Sequence, residues 1–327
     1  MMGAMVDGAR MHELERESLM GAVGEEAARE IPRVDLTDLE DRRAEVADQL
    51  WAAATEVGFF QLAGHGIDAG LLDDGFAAAA AFFAQPAERK ASWPLDRTRN
   101  AGWESRSQVR PSTGTADEKE SYQITRSVMD GLWPTEEVLP GFRSTMEALE
   151  SASWSVAMRV LSCFADRLGF PPDFFAEAHD PSSPTYQSTL RLLRYPAPSP
   201  DVAPDAWRAG AHTDFDCLTL LFQREGQAGL QVCPGAERDS GAWTPVDPDP
   251  AVITCNIGDM LMRWSDDQLL STLHRVKGPG PGEPAVDRYS IAFFAQADRD
   301  VVIESPGGTY PAITAADYLA QRVAANY

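Results

Sequence analysis

From residue 188 onward the chain breaks into short β-type runs, at residues 188–195, 217–223, 230–232, 243–246, 251–257, 272–276 and 289–296, separated by turns rich in Gly, Pro and Asp. Strands this short cannot each bury an apolar face alone. They satisfy their backbone groups and hide those faces by assembling into a barrel or a two-sheet jelly roll. The half before residue 188 has a different period. Val46, Leu50, Ala54 and Val57 recur at helical spacing up to Gly58, and Leu72, Phe76, Ala79 and Phe83 repeat the pattern before Pro86. A longer helix is read from about Ser144 to Leu168, with Met146, Leu149, Val156, Val160 and Phe164 on one face and Gly169 just past its end. Residues 31–36 and 58–62 read as strands, the first at an edge or a strand start because Pro32 lacks an N–H. Residues 64–66 read as a turn, and a last helix runs from Ala315 to about Val323 with Thr314 as its N-cap. Residues 93–140 have weak periodicity and are expected to be irregular, with a short strand near Tyr122. The expected class is mainly β with flanking helices. Residues 1–30 form an acidic arm outside the core, 31–180 a helical region packed on the barrel, and 181–327 the jelly-roll core, with 31–327 as one folding unit.

Charge narrows the partners. Twenty-eight Lys and Arg stand against fifty Asp and Glu, a formal net charge of −22, which repels phosphate backbones and anionic headgroups. Nucleic acid and membrane are therefore set aside, and a small molecule is the expected partner; nothing in the pattern addresses oligomeric state. No window reaches the ~18 apolar residues of a membrane span, and the first residues lack the basic-then-apolar pattern of a secretory leader. Cys163, Cys217, Cys233 and Cys255 form no C-x-x-C pair and show no metal spacing, so a reducing, cytoplasmic setting is expected, with the last three as small core residues. A nucleophile elbow and a Walker lysine motif are both absent from the sequence, and the Gly-Pro repeat at 278–282 reads as a loop.

Five histidines occur: His12, His65, His179, His212 and His274. His212-Thr213-Asp214 stands out because residues i and i+2 of an extended segment project to the same side, so both side chains can grip one ion. A non-haem Fe(II) centre that activates O2 uses two imidazoles and one carboxylate on one face and leaves the opposite positions open. The third ligand must come from another strand. His274 is the only histidine beyond Asp214 and falls in the run at 272–276. Taken alone, a His-x-Asp turn is a common loop cap, and an arginine such as Arg288 in a chain with fifty carboxylates is most simply an ion-pair partner. Order, separation and β context together raise both. His65 reads as a satisfied turn histidine, His12 and His179 as surface residues, and Trp264 as either a pocket wall or barrel packing.

With these residues in place, the chain resembles the isopenicillin N synthase-like branch of the 2-oxoglutarate- and Fe(II)-dependent oxygenases, from about Ile31 to the last helix. The likeness is carried by residues 31–36, Gly58-Phe59-Phe60, Gly64-His65-Gly66-Ile67, Phe82-Phe83, Lys119-Glu120, Leu190-Arg191, Tyr195-Pro196, Ala211-His212-Thr213-Asp214, Gly229-Leu230-Gln231-Val232, Asn256-Ile257-Gly258-Asp259, residues 271–276 and Arg288-x-Ser290. The resemblance implies a double-stranded β-helix with iron held by His212, Asp214 and His274. It also implies that Arg288 and Ser290, with Tyr195 as an added hydroxyl donor, bind the distal carboxylate of 2-oxoglutarate. Succinate and CO2 would be released as O2 oxidises a small molecule by hydroxylation, desaturation or cyclisation, in specialised metabolism by family analogy. Leu193 stands where many members have Asn, and Gly64 where they have Asn before the His-Gly. Two alternatives share the fold: an isopenicillin N synthase-like oxidase that uses O2 without the keto acid, and a non-catalytic small-molecule-binding jelly roll.

Overall fold

Backbone pairing over long sequence separations organises the chain into two main sheets. The computed structural model describes residues 24–109, 114–198, 207–234, 241–279 and 285–324. Its strands are β1 (Arg33–Asp35), β2 (Phe59–Ala63), β3 (Gly102–Ser105), β4 (Glu120–Ile124), β5 (Thr189–Tyr195), β6 (Ala209–His212), β7 (Leu218–Gln223), β8 (Leu230–Val232), β9 (Thr244–Pro245), β10 (Ile253–Ile257), β11 (His274–Val276), β12 (Arg288–Ala295), β13 (Val302–Ile303) and β14 (Ile313–Thr314). The helices are α1 (Arg43–Glu56), α2 (Ala69–Phe83), α3 (Ala87–Lys90), α4 (Phe142–Leu168), α5 (Phe174–Glu177), α6 (Asp259–Trp264) and α7 (Ala315–Ala324). An eight-stranded sheet runs β1-β2-β10-β7-β12-β5-β4-β3, and a four-stranded sheet runs β6-β11-β8-β9.

The period-2 alternation of the long strands gives the large sheet two different faces. Along β12, Arg288, Ser290, Ala292 and Phe294 line a cavity between the sheets, while Ile291 and Phe293 enter the core on the other side. On β5 the same rule sends Arg191, Leu193 and Tyr195 inward and Leu190 and Leu192 outward. The outward face is covered by helices, chiefly α4, whose 27 residues span about 40 Å at ~1.5 Å each. Met146, Leu149, Val156, Val160 and Phe164 are buried on its sheet side, and Gly169 ends it in the left-handed region at φ 78°. Apolar residues of both sheets meet in one cluster, including Leu193 and Ala292 from the large sheet and Leu230, Val232 and Val276 from the small one. Gly58, at φ +79°, lets α1 turn into β2 against the segment before β11. A Cβ there would stand 2.1 Å from Thr272 Oγ1 and 2.3 Å from Leu270 O.

Several expectations need correction. The strands read at 31–36, at 58–62 and near Tyr122 are β1, β2 and β4; β1 and β2 extend one end of the large sheet, and β4 with β3, which was not read, the other. β4 shows little apolar alternation because it buries polar groups. Glu120 accepts from Lys90 Nζ at 2.5 Å and Arg194 Nη1 at 2.7 Å, and the backbone pairing with β5 spans Glu120 to Ile124. The acidic arm expected over residues 1–30 lies outside the described residues as far as 23, but 24–30 are not a detached arm. Ala27 N–H donates to Trp243 O and Trp243 N–H to Glu25 O at 2.9 and 2.8 Å, while Glu26 accepts from Gln231 and Lys277. Trp264 packs among Phe174 and Phe175, ring centroids 5.2 and 5.6 Å away, so it is core. His12 and the loop residues 280–284 lie outside the described residues.

His179, expected at the surface, is fully buried. Phe174 and Phe175 turn α5 inward onto Trp264 and carry His179 with them; its Nδ1 meets Phe175 O at 2.7 Å, and Trp154 Nε1 donates to its carbonyl at 2.7 Å. Burial pulls its pKa from the ordinary 6.5 down to about 4, so the native state holds it neutral. The folded value lies below the unfolded one. Its contribution is therefore complete above pH 6.5 and lost as pH falls towards 4, a change of about 3 kcal/mol at ~1.36 kcal/mol per pH unit. Urea unfolding at about pH 7.5 and about pH 4 should show this loss in the wild type and a smaller one in His179→Asn. Equal pH dependence of the two proteins would contradict it.

Candidate metal and co-substrate site

Register brings the two imidazoles together. β6 and β11 are antiparallel neighbours with His212 directly opposite His274, and their ring centroids lie 4.3 Å apart. Asp214 follows two residues after His212, in the bend leaving β6, where its carbonyl accepts from Asp259 N–H at 2.8 Å. The His212 Nε2 to Asp214 Oδ1 distance is 4.0 Å and the His274 Nε2 to Asp214 Oδ2 distance 3.7 Å. These separations exceed hydrogen-bond length, yet one ligand atom from each residue lies within 4.8 Å of the others. Each Nδ1 faces a backbone carbonyl, Gly210 O at 2.7 Å and Thr272 O at 3.3 Å. Donation there selects the tautomer whose Nε2 lone pair points at the shared space. Two neutral imidazoles and a carboxylate converging in this way fit a divalent first-row metal such as Fe(II).

Asp214 is itself held by outer groups. Its Oδ2 accepts from Thr219 Oγ1 at 2.7 Å and Asn256 Nδ2 at 2.9 Å. Thr219 also lies 2.9 Å from Asp216 Oδ2, and a hydroxyl has one proton for two carboxylates. Complete burial, and then the neighbouring Asp214 charge, push the Asp216 pKa well up. Sequence reasoning assigned no role to Thr219, Asp216 or Asn256. Thr219 and Asn256 lay in the β runs read at 217–223 and 251–257; Asp216 lay in neither.

Across the cavity, Arg288 stands opposite Tyr195 in the β12–β5 register. It is 2% exposed, with Nε donating to Gln227 O at 3.0 Å, Nη1 to Ser290 Oγ at 3.4 Å, and the guanidinium 4.9 Å from the Tyr195 ring centre. Among the described residues no carboxylate pairs with Arg288. Burial lowers its pKa, opposed by Tyr195. The metal triad and Arg288 line one cavity. Leu193 sits opposite Ser290 and makes that wall apolar where many members carry Asn.

A second cavity shares Arg191, His212, Asp214 and Phe294 with the first and runs out past Asn100, Gln108 and Gln296 to Leu319 and Val323 of α7. Arg191 donates to Gln123 Oε1 at 2.6 Å and lies 4.9 Å from the Phe294 ring centre, and among the described residues it too has no carboxylate partner. Asn100, Gln108 and Gln123 come from residues 93–140, whose periodicity is weak. His65 is apart from both cavities: its Nδ1 accepts from Ile67 N–H at 3.1 Å, as a turn histidine should.

Residues 186–297 match the model of the 2OG-Fe(II) oxygenase superfamily, and residues 31–137 that of the non-haem dioxygenase in morphine synthesis N-terminal family. The chain is 34% identical over 316 residues to proline hydroxylase buaE of Petromyces alliaceus, covering 91% of this chain and 97% of the relative. It is also 34% identical to the 2-oxoglutarate-dependent dioxygenase citB of Monascus ruber, covering 83% and 85%. A full-length Neurospora crassa protein, solved in complex with alpha-KG, superposes with a TM-score of 0.80 at 31% identity, covering 93% of this chain and 99% of that one. Among the described residues no helix is long and apolar enough to cross a membrane. The two facing sheets are accordingly a jelly-roll core, and the chain belongs to the 2-oxoglutarate- and Fe(II)-dependent oxygenases, enzymes that use Fe(II), 2-oxoglutarate and O2.

Proposed function

We propose that His212, Asp214 and His274 hold the Fe(II), that Arg288, Ser290 and Tyr195 take the distal carboxylate of 2-oxoglutarate, and that the second cavity receives the prime substrate. The observation that carries the reading is the convergence of three ligand atoms on a cavity whose far wall holds a buried arginine without a carboxylate partner among the described residues. A planar guanidinium fork matches a carboxylate through two parallel hydrogen bonds, and Ser290, two residues along the strand, points to the same side. With both bound, oxidative decarboxylation of the keto acid by O2 gives succinate and CO2 and oxidises a substrate C–H bond. Arg191 and the amides of Asn100, Gln108 and Gln296 set a polar wall against Phe294, Leu319 and Val323. That lining suits a small, partly polar molecule. Relatives named for proline hydroxylation or solved with thymine support the same size class.

The assay is anaerobic loading with Fe(II) and 2-oxoglutarate, then O2, with succinate and product measured over a panel of amino acids, pyrimidine bases and small carboxylic acids. Succinate should form only with the keto acid and rise several-fold with a substrate. Product forming at full rate without 2-oxoglutarate would transfer the chain to the oxidase alternative. We also propose that 31–327 behaves as one folding unit, since strands from both halves share the large sheet. Four buried cysteines, none in a disulfide, support a reducing, cytoplasmic setting.

A further inference from the structure

The back of the 212–214 tripeptide is held by a buried ion pair between Arg322 and Asp259. Thr213 Oγ1 donates to Asp259 Oδ2 at 2.9 Å and accepts from Arg322 Nη2 at 3.0 Å. Arg322 Nη2 lies 2.7 Å from the same carboxylate oxygen, and both side chains of that pair are 0% exposed. The Asp259 backbone N–H reaches Asp214 O, and the Arg322 guanidinium lies 4.7 Å from the Phe215 ring centre. Residues 213, 214 and 215 are therefore all gripped by Asp259 and Arg322. Gly258 makes the approach possible, since a Cβ there would stand 2.2 Å from Asp216 O. Arg322 belongs to α7, and Leu319 and Val323, three residues before it and one after, line the second cavity beside His212 and Asp214.

A buried ion pair adds little net stability compared with well-packed apolar groups, and its attested use is to fix one arrangement among several. We propose that Arg322 is a positioning residue for the metal ligands: through Asp259 and Thr213 it sets the His212–Asp214 bite, so that the α7 wall of the substrate cavity and the metal loop move as one body. The proposal rests on the Fe(II) assignment above.

The test uses the full chain, Fe(II) affinity measured anaerobically, the ligand-field spectrum of the Co(II)-loaded protein, and the thermal midpoint. Outer groups that orient metal ligands typically contribute roughly 10–100-fold in metal affinity, so Arg322→Met should weaken Fe(II) at least tenfold and shift the Co(II) bands, with Arg322→Lys partly restoring both. Thr213→Val keeps volume and leaves the Arg322–Asp259 pair in place; it should shift the Co(II) bands with a near wild-type midpoint, and it decides the matter if Arg322→Met does not fold. A purely structural Arg322 would lower the midpoint while leaving the spectrum and Fe(II) affinity of folded protein unchanged, and that result would overturn the proposal, as would an unchanged spectrum in Thr213→Val. His274→Ala separates the two levels. If it retains full metal affinity, the metal assignment fails; if it loses affinity while Thr213→Val and Arg322→Met match the wild type, only the positioning role fails.

Discussion

Replacing His274 by alanine should weaken anaerobic Fe(II) binding by more than about 100-fold and remove 2-oxoglutarate-dependent turnover. The two ligands left, His212 and Asp214, come from one short segment, and two donors cannot close the facial set. The bound follows from comparison with outer groups, whose loss costs roughly 10–100-fold: deleting a direct ligand should exceed it. Thr219→Val and Asn256→Ala, which each remove one donor to Asp214 Oδ2, should fall within that smaller range. Titration of wild type and the three variants gives the ranking. Equal affinity of His274→Ala and wild type would remove β11 from the site.

Arg288→Ala should weaken 2-oxoglutarate by about 30-fold or more at saturating Fe(II). Truncating one partner of a buried, hydrogen-bonded charge pair costs roughly 2–5 kcal/mol, and each ~1.4 kcal/mol is tenfold in affinity. Arg288→Lys should fall between, because an ammonium keeps the charge and loses the fork. Iron affinity should hardly change, since Arg288 lies on the opposite sheet from the two histidines. The protein without 2-oxoglutarate should not lose much stability either. Burial already lowers the Arg288 pKa, and no carboxylate among the described residues would be left without its cation. Keto-acid dissociation constants and thermal midpoints with and without 2-oxoglutarate check both halves, because a ligand that binds only the native state raises the midpoint by mass action. An unchanged dissociation constant in folded Arg288→Ala would sink the assignment.

What could be read in one dimension had short physical range. The i, i+2 geometry of His212 and Asp214 is local, the helices α1, α2 and α4 announce themselves by apolar period, and the scarcity of histidines leaves His274 as the one candidate beyond Asp214. Arg288, Ser290 and Tyr195 entered through family likeness, because a lone strand arginine in an acidic chain carries no signal of its own. Trp264, open between pocket and core, was decided by the aromatic contacts of α5.

Only the tertiary structure decided who faces whom. Strand register is set by pairing across long loops, and a one-residue slip would send every side chain to the other face; it puts His212 opposite His274 and Arg288 opposite Tyr195. Residues 24–30 looked solvated by their charge, but the edge of the small sheet offers backbone N–H and C=O groups whatever side chains flank them, and Glu25 and Ala27 pair there with Trp243. His179 is buried because its neighbours Phe174 and Phe175 pack onto Trp264. Arg322 meets Thr213 from 109 residues away, and Arg191 meets Gln123 across 68. Hydrophobic period reports which face of an element is buried; polar contacts between distant elements leave no period in the sequence, so the groups that hold and line the site became visible only once the chain had folded.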